Sequence, residues 1–391
     1  MSRATKAFIY KENLRNNILQ IKKLIPENTK ICLAVKADGY GHSALIAAKI
    51  AQDLGVYALA IATVDEGIEL RKNGIKLKLL LLSLCTPEEM YDLFRYEITP
   101  LVFSKDYINC LSEVGRKFYG NKSNEKFEVH LAVDTGMGRI GCYPSEAGSE
   151  ALLIEKSGIL RLSGMATHFA VSDSLSKENQ DYTKEQYKNF CLAVENVKKE
   201  GINPGLCSCA NSAAILNNKE MHFDMVRAGI IAYGYYPDEI TKEFLQKNGI
   251  ASNFKPVMSF ETQVVAIRHF PKGKSVSYGK TWTCKKDTDI AVLPVGYADG
   301  LLRRFSPGIE VTINGKKYPV VGRVCMDQCM VDIGKDNKDV HLWDKVLIFG
   351  PKESGALTTA DDLAKIGNTI SYEVLTSLSK RVVRYVKDSD S

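Results

Sequence analysis

The chain has 391 residues, of which 45% are apolar and 25% charged, with six more basic than acidic side chains. That length gives room for two domains, each with its own core. The composition is that of an ordinary globular protein, and charge this modest and interspersed argues against nucleic acid or a membrane surface as the main partner. The first residues, Met1-Ser2-Arg3-Ala4-Thr5-Lys6, lack the apolar segment of a signal peptide, and no stretch is long and apolar enough to span a bilayer. Of the ten cysteines, Cys207/Cys209 and Cys325/Cys329 come closest to a motif, but neither pair has the two-residue gap of a zinc knuckle or redox site. The expectation is a cytoplasmic protein with reduced thiols.

Residues 3–10 read as a short strand, and Asn13 to Leu24 has helical periodicity. Apolar runs then recur at Ile31–Val35, Tyr57–Ala62, Leu79–Leu84, Ile98–Val102, Phe127–Val133, Leu160–Thr167, Leu206–Ala210 and Phe223–Arg227. Helical spacing separates most of them, as in Asp65–Lys72, Pro87–Tyr96, Ser104–Phe118 and Glu178–Lys199. Strands alternating with helices in this way predict an α/β fold of the (β/α)8 TIM-barrel type. An open doubly wound sheet is the rival, but no G-x-G-x-x-G follows the first strand. After about Pro237 the rhythm changes to short alternating segments: Met258–Arg268, Asp289–Pro294, Glu310–Ile313, Tyr318–Val324, Met330–Ile333 and Lys345–Phe349. Asn314-Gly315 reads as a hairpin turn, and residues 360–378 as one helical piece. The expected division is a barrel over 1–240 and a β-rich domain over 241–391, with residues 1–10 open to pairing with the second domain.

In a barrel, polar residues at the carboxyl ends of the strands converge on one face. Lys36 follows the first of these runs, Ile31–Val35, and opens Lys36-Ala37-Asp38-Gly39-Tyr40-Gly41-His42, which reads as a loop. An ammonium at such a place loses water, its pKa falls, and the free amine becomes a nucleophile for carbonyls. The bland alternative is a lysine that snorkels from a strand end to solvent. Arg139, His168, Asn211, Ser212 and Arg227 follow later strands, and Gly229 and Ile230 offer backbone N–H groups where barrels commonly cradle phosphate. A lysine nucleophile with a phosphate cradle points to pyridoxal phosphate, although phosphosugar aldolases share both ingredients.

The stretches Val35-Lys36-Ala37-Asp38-Gly39-Tyr40-Gly41-His42, Val133-Asp134-Thr135-Gly136-Met137-Gly138-Arg139, Thr167-His168-Phe169, Ala210-Asn211-Ser212 and Val226-Arg227-Ala228-Gly229-Ile230 resemble the barrel motifs of the alanine racemases. Val276-Ser277-Tyr278-Gly279, Pro294-Val295-Gly296-Tyr297, Val324-Cys325-Met326-Asp327 and Ser371-Tyr372-Glu373 resemble their second-domain motifs, in order along nearly the whole chain. The resemblance implies a pyridoxal-phosphate enzyme that interconverts L- and D-alanine, supplies peptidoglycan, and acts as a homodimer with shared sites. It assigns Lys36 as the cofactor-holding lysine and one base. It makes Tyr278 of the neighbouring subunit the base for the opposite face. Tyr40, Ser212, Tyr372, Gly229 and Ile230 would hold the phosphate, Arg227 would face the ring nitrogen, and His168 would link Arg227 to the second base. Arg139 would contact the cofactor's phenolate oxygen and the substrate carboxylate, Met326 of the neighbouring subunit would approach that carboxylate, and Tyr297 and Asp327 would line the entrance. A tyrosine ordinarily titrates near pH ~10, so Tyr278 needs nearby positive charge, which His168 and Arg227 are expected to supply.

Two departures from the family pattern stand out. Many relatives carry a lysine, modified to a carbamate, seven residues before the Arg139 equivalent, where this chain has Ala132. Arg139 is therefore expected to be held by another group, such as a bound chloride. Ser208 stands where relatives often have histidine. Three rival functions share parts of the pattern. A pyridoxal-phosphate-binding regulatory protein lacks a second domain, and a barrel-type decarboxylase places an acid where this chain has Arg227. A racemase for serine, lysine or arginine differs only in pocket size.

Overall fold

A computed structural model describes residues 3–120 and 126–387 of the chain. Residues 1–2 of the expected N-terminal pairing and 388–391 of the expected second domain lie outside the described residues. Strand β1 (Lys6–Tyr10) and the helix Lys11–Leu24 precede eight parallel strands. These are β2 (Lys30–Ala34), β3 (Ala58–Ile61), β4 (Lys78–Leu81), β5 (Ile98–Val102), β6 (Phe127–Ala132), β7 (Leu160–Ala166), β8 (Leu206–Ser208) and β9 (Met225–Ala228). They pair in the order β8-β7-β6-β5-β4-β3-β2-β9. Closure between β8 and β9 comes from Asp224 N–H to Cys207 O (3.2 Å) and Arg227 N–H to Ala210 O (2.9 Å). These strands are apolar along nearly their full length because both faces are covered, one by the barrel interior and one by helices. The helices start where the sequence caps them: Thr63 with Glu66 and Thr86 with Glu89 form reciprocal capping boxes, the latter with Pro87 in the first turn.

The second unit is mainly β. Its strands are β10 (Met258–Gln263), β11 (Ala266–Phe270), β12 (Ser275–Val276), β13 (Trp282–Thr283), β14 (Thr288–Leu293), β15 (Glu310–Ile313), β16 (Lys316–Val321), β17 (Cys329–Gly334), β18 (Lys345–Phe349) and β19 (Val383–Lys387). Nine strands form one sheet in the order β11-β14-β17-β16-β15-β18-β10-β1-β19. Strand β1 thus leaves the barrel end of the sequence to pair antiparallel with β10 and parallel with β19. Asn314 and Gly315, both at positive φ, make the two-residue turn between β15 and β16.

Two expectations need correction. The run Met258–Arg268 is two strands, interrupted where Val264 N–H turns to Asp344 O. The helical piece over 360–378 is two helices, Ala360–Ile366 and Ser371–Thr376, because Gly367 caps the first and Asn368 takes φ 47°. The ten cysteines are all free thiols, and among the described residues no helix is long and apolar enough to cross a membrane.

Candidate active site

Val35 closes β2 by donating its N–H to Ala60 O at 2.9 Å, and Lys36 follows at the rim. The loop expected there is a left-handed turn. Ala37, Asp38, Gly39, Tyr40 and Gly41 take φ of 52°, 53°, 62°, 53° and 81°. A left-handed conformation costs a residue with a Cβ about 1–2 kcal/mol, so neighbouring contacts must hold Ala37, Asp38 and Tyr40 there. Ala37 N–H donates to Glu66 Oε1 (2.7 Å), Asp38 Oδ1 accepts from Ala44 N–H (2.9 Å), and Gly39 N–H reaches Val35 O (2.7 Å). His42 Nδ1 lies 2.9 Å from Tyr40 O and 3.1 Å from Gly39 O. Carbonyls only accept, so Nδ1 carries the proton. Burial depresses the imidazole pKa to about 4, and the ring stacks on Tyr233 at 4.6 Å. Tyr233 Oη in turn donates to Ala34 O, the last residue of β2 (2.8 Å).

A cavity of about 330 Å³ opens beside this turn, lined by Lys36, Tyr40, His168, Ser212, Arg227, Gly229, Ile230 and Tyr372. These eight expected site residues therefore meet in one place. Burial, and then the charges of Arg139 and Arg227, lower the Lys36 pKa, while Glu66 opposes them. On the neighbouring strand β9, Arg227 Nη1 donates to Ser208 O (2.8 Å) and Ser208 Oγ (2.7 Å). Its Nη2 donates to Thr167 O (2.5 Å) and lies 3.3 Å from His168 Nδ1. All four Nη hydrogens are thereby engaged, and Nε–H is the donor left over. His168 is neutral, because burial and the charge of Arg227 push its pKa down to about 3. That corrects the expectation that His168 brings positive charge. Accepting from Arg227 at Nδ1, it carries its proton on Nε2.

The cradle corner is built from donors. Gly229 N–H, expected to point at a phosphate, donates instead to Ser212 Oγ at 3.0 Å, leaving the Ser212 hydroxyl hydrogen to donate onward. Ile230 opens a 3-10 turn (Ile230–Tyr233), so its N–H has no acceptor within that turn. Burial raises the Tyr40 pKa to about 12 and raises that of Tyr372 further, which keeps both phenols protonated as donors. An ideal Cβ on Gly229 would sit 2.9 Å from Tyr40 Oη and 3.5 Å from Ser212 Oγ. Glycine keeps the space between those hydroxyls open.

Arg139, on the loop after β6, lines a smaller adjoining cavity with Ala132, His168 and Arg227. It makes no hydrogen bond or ion pair with any described residue. Ala132 is buried in an apolar cluster with Leu101 and Ala166. Tyr278, Met326 and Asp327 lie elsewhere, around a shallow hollow of the second unit that shares no residue with the Lys36 cavity. Tyr278 is 65% exposed, Met326 53% and Tyr297 40%. Asp327 pairs with Arg381 Nη2 (2.8 Å), and Arg381 and Arg3 both reach the fully buried Asp299. Within one chain, then, the structure gathers the lysine side of the site and not the tyrosine side.

Sequence reasoning missed the duties of Ser208 and Glu66. Ser208 was visible only as a departure. Glu66 carried a readable sign, the Thr63-x-x-Glu66 capping spacing, that says nothing of its second contact to Ala37.

The description "Alanine racemase, N-terminal domain" matches residues 9–237, and "Alanine racemase, C-terminal domain" matches residues 257–386. An alanine racemase of Treponema denticola is 47% identical over 388 residues, covering 99% of each chain. One of Treponema pallidum is 40% identical over 97% of this chain and 98% of its own. The solved alanine racemase of Clostridium difficile 630 superposes with a TM-score of 0.90 at 37% identity, over 100% of this chain and 97% of that one. That of Bacillus anthracis, with bound L-Ala-P, gives 0.89 at 33% identity over 100% and 97%. A barrel with a lysine and an anion cradle at its mouth, continuous with a β domain and matched end to end by these relatives, places the chain in the alanine racemase family.

Proposed function

We propose that the protein interconverts L- and D-alanine by two-base proton exchange in a homodimer, with pyridoxal phosphate held in the Lys36 cavity. The observation that carries this reading is the shared cavity: a lysine with lowered pKa, a cradle of hydroxyl and amide donors, and an arginine on the neighbouring strand. The cofactor fits these residues. The space that a Gly229 side chain would fill is bounded by Tyr40 and Ser212, and uncharged donors suit a phosphate dianion. Bound there, pyridoxal phosphate supplies a carbonyl for the amino group and a conjugated ring that acidifies the α-carbon.

The chain's own groups do the rest. Lys36 Nζ, its pKa lowered by burial and the neighbouring guanidiniums, holds the cofactor and then takes or returns the α-proton on one face. Tyr278 Oη of the neighbouring protomer serves the other face, and its exposure in the single chain is what a residue offered to a partner requires. His168, with its proton on Nε2, orients that phenol and passes the influence of Arg227 to it. Arg227 would hold the ring nitrogen of the bound cofactor through its Nε–H, and because a guanidinium does not surrender its proton, electron withdrawal at the ring would stay limited. Arg139 and the partner's Met326 receive the substrate carboxylate, with Tyr297 and Asp327 at the entrance. Tyr372 walls the cavity and keeps it suited to a one-carbon side chain. The protein works in the cytoplasm and supplies D-alanine for peptidoglycan.

The test is incubation of the pyridoxal-phosphate-loaded protein with each L-amino acid in deuterium oxide. α-Deuterium incorporation with inversion for alanine supports the reading. Carbon dioxide release, inversion only of serine, lysine or arginine, or no exchange overturns it.

A further inference from the structure

We propose that Glu66 is a positioning residue for Lys36, its carboxylate clamping the left-handed turn to the neighbouring strand and setting the charge environment of the amine. The inference rests on the role of Lys36 in the reading above, but not on the substrate. Glu66 sits at the third position of the helix Val64–Lys72, where a glutamate normally reaches back only to the cap residue. Here Oε2 accepts from Thr63 N–H (3.3 Å) and from Ala62 N–H (2.7 Å), just past the end of β3. Oε1 turns the other way and accepts from Ala37 N–H (2.7 Å), the residue after Lys36. One carboxylate therefore ties the rims of β2 and β3 together through three backbone donors. Hydrogen bonds to a charged acceptor are about twice as strong as neutral ones, which makes this a firm anchor for a strained turn.

The second duty is electrostatic. The charged groups that act on Lys36 are Arg139, Arg227 and Glu66; the other titratable groups on the cavity are His168, which is neutral, Tyr40 and Tyr372, whose phenols burial keeps protonated, and Asp173, whose carboxyl pKa burial raises. Glu66 is the one negative member, so it holds the Lys36 pKa above the value that burial and two guanidiniums would impose. Removing that carboxylate therefore moves the amine further toward its neutral form, a shift to which a group that gives and takes the same proton is sensitive.

Three variants separate the clamp, the charge and the helix cap. Glu66→Gln removes the charge and faces an NH2 toward a backbone N–H. Glu66→Asp keeps the charge but is too short to bridge both rims. Thr63→Ala removes the helix cap and leaves the bridge to Ala37. In cofactor-free protein, Lys36 is titrated by competitive acetic-anhydride labelling read by peptide mass spectrometry. The expected result is a midpoint lower by about one unit in Glu66→Gln, with Glu66→Asp and Thr63→Ala close to wild type. In the loaded enzyme, where Lys36 is free as a base only after substrate has displaced it, the acid limb of kcat should move down in Glu66→Gln alone, while Glu66→Asp loses kcat at unchanged limb position. An unmoved labelling midpoint in Glu66→Gln overturns the proposal, as does an equal shift in Thr63→Ala. Because labelling needs no turnover, failure of the racemase reading and failure of this one give different results.

Discussion

Mixing two inactive variants tests the placement of the bases. Lys36 and Tyr278 line separate hollows of one chain that share no residue, so a working site should combine Lys36 of one protomer with Tyr278 of its partner. Lys36→Ala and Tyr278→Phe should each lose about 10²–10⁴-fold in racemisation rate, the range for a positioned proton-transfer group. Tyr278 is 65% exposed, so its replacement should leave stability within about 0.5 kcal/mol. When equal amounts of the two variants exchange subunits, about half of the dimers are mixed. Each mixed dimer pairs both lesions at one site and leaves the other site intact, so recovery should approach about one quarter of wild-type activity. Polarimetry or a D-alanine-coupled assay follows the recovery after dilution and reconcentration. If both bases belonged to the same protomer, every site would carry a lesion. Recovery near zero despite proven subunit exchange would therefore refute the shared-site arrangement.

Gly229→Ala places a methyl 2.9 Å from Tyr40 Oη and displaces one donor from the cradle. Loss of one charge-assisted hydrogen bond, about 1.5–3 kcal/mol, should weaken pyridoxal-phosphate binding by about 10–100-fold, and a fluorescence titration showing unchanged affinity would count against the cradle. His42 and His130 are buried with pKa values depressed from 6.5 to about 4. The unfolded chain then binds more protons between those values, so the stabilisation is full above about pH 6.5 and is lost as pH falls toward 4. Each histidine contributes on the order of 3 kcal/mol to that loss. Thermal midpoints should fall over this window and flatten in His130→Asn; an equally steep profile in the variant would refute the assignment. With Ala132 in place of a modifiable lysine and Arg139 unpaired among the described residues, activity should persist but depend on chloride, and equal rates with and without chloride would end that idea.

The barrel could be read from the sequence because parallel strands covered on both faces appear as compact apolar runs, and β5 (Ile98–Val102) matched its run residue for residue. The site was legible where a motif supplied it: Lys36, Arg227 and Ser212 were found as polar residues at strand ends. The left-handed turn was not, because Ala37 and Asp38 have no intrinsic preference for positive φ. Their conformation is held by local contacts to Ala44 and His42 and by Glu66, 29 residues from Ala37, and that last contact lies outside any local window. The duty of Ser208 was hidden likewise, since Arg227 lies nineteen residues away and meets it only when β8 and β9 come side by side. His168 was located correctly but assigned the wrong charge, because its neutrality depends on burial beside Arg227, which spacing does not report.

Gly41 lies where the barrel rim meets the helix Ser371–Thr376, and a Cβ there would stand only 2.2 Å from Leu375 O. Arg384 Nε donates to Gly41 O at 3.0 Å, and the ring of Tyr40 rests 5.8 Å from that of Tyr372. With β1 also woven into the far sheet, the two halves of the chain are bolted together at the very edge of the Lys36 cavity. Such a block has no jaw of its own to open. Bending one half against the other would break these contacts, so in the proposed homodimer the expected throttle on turnover is breathing at the seam between protomers.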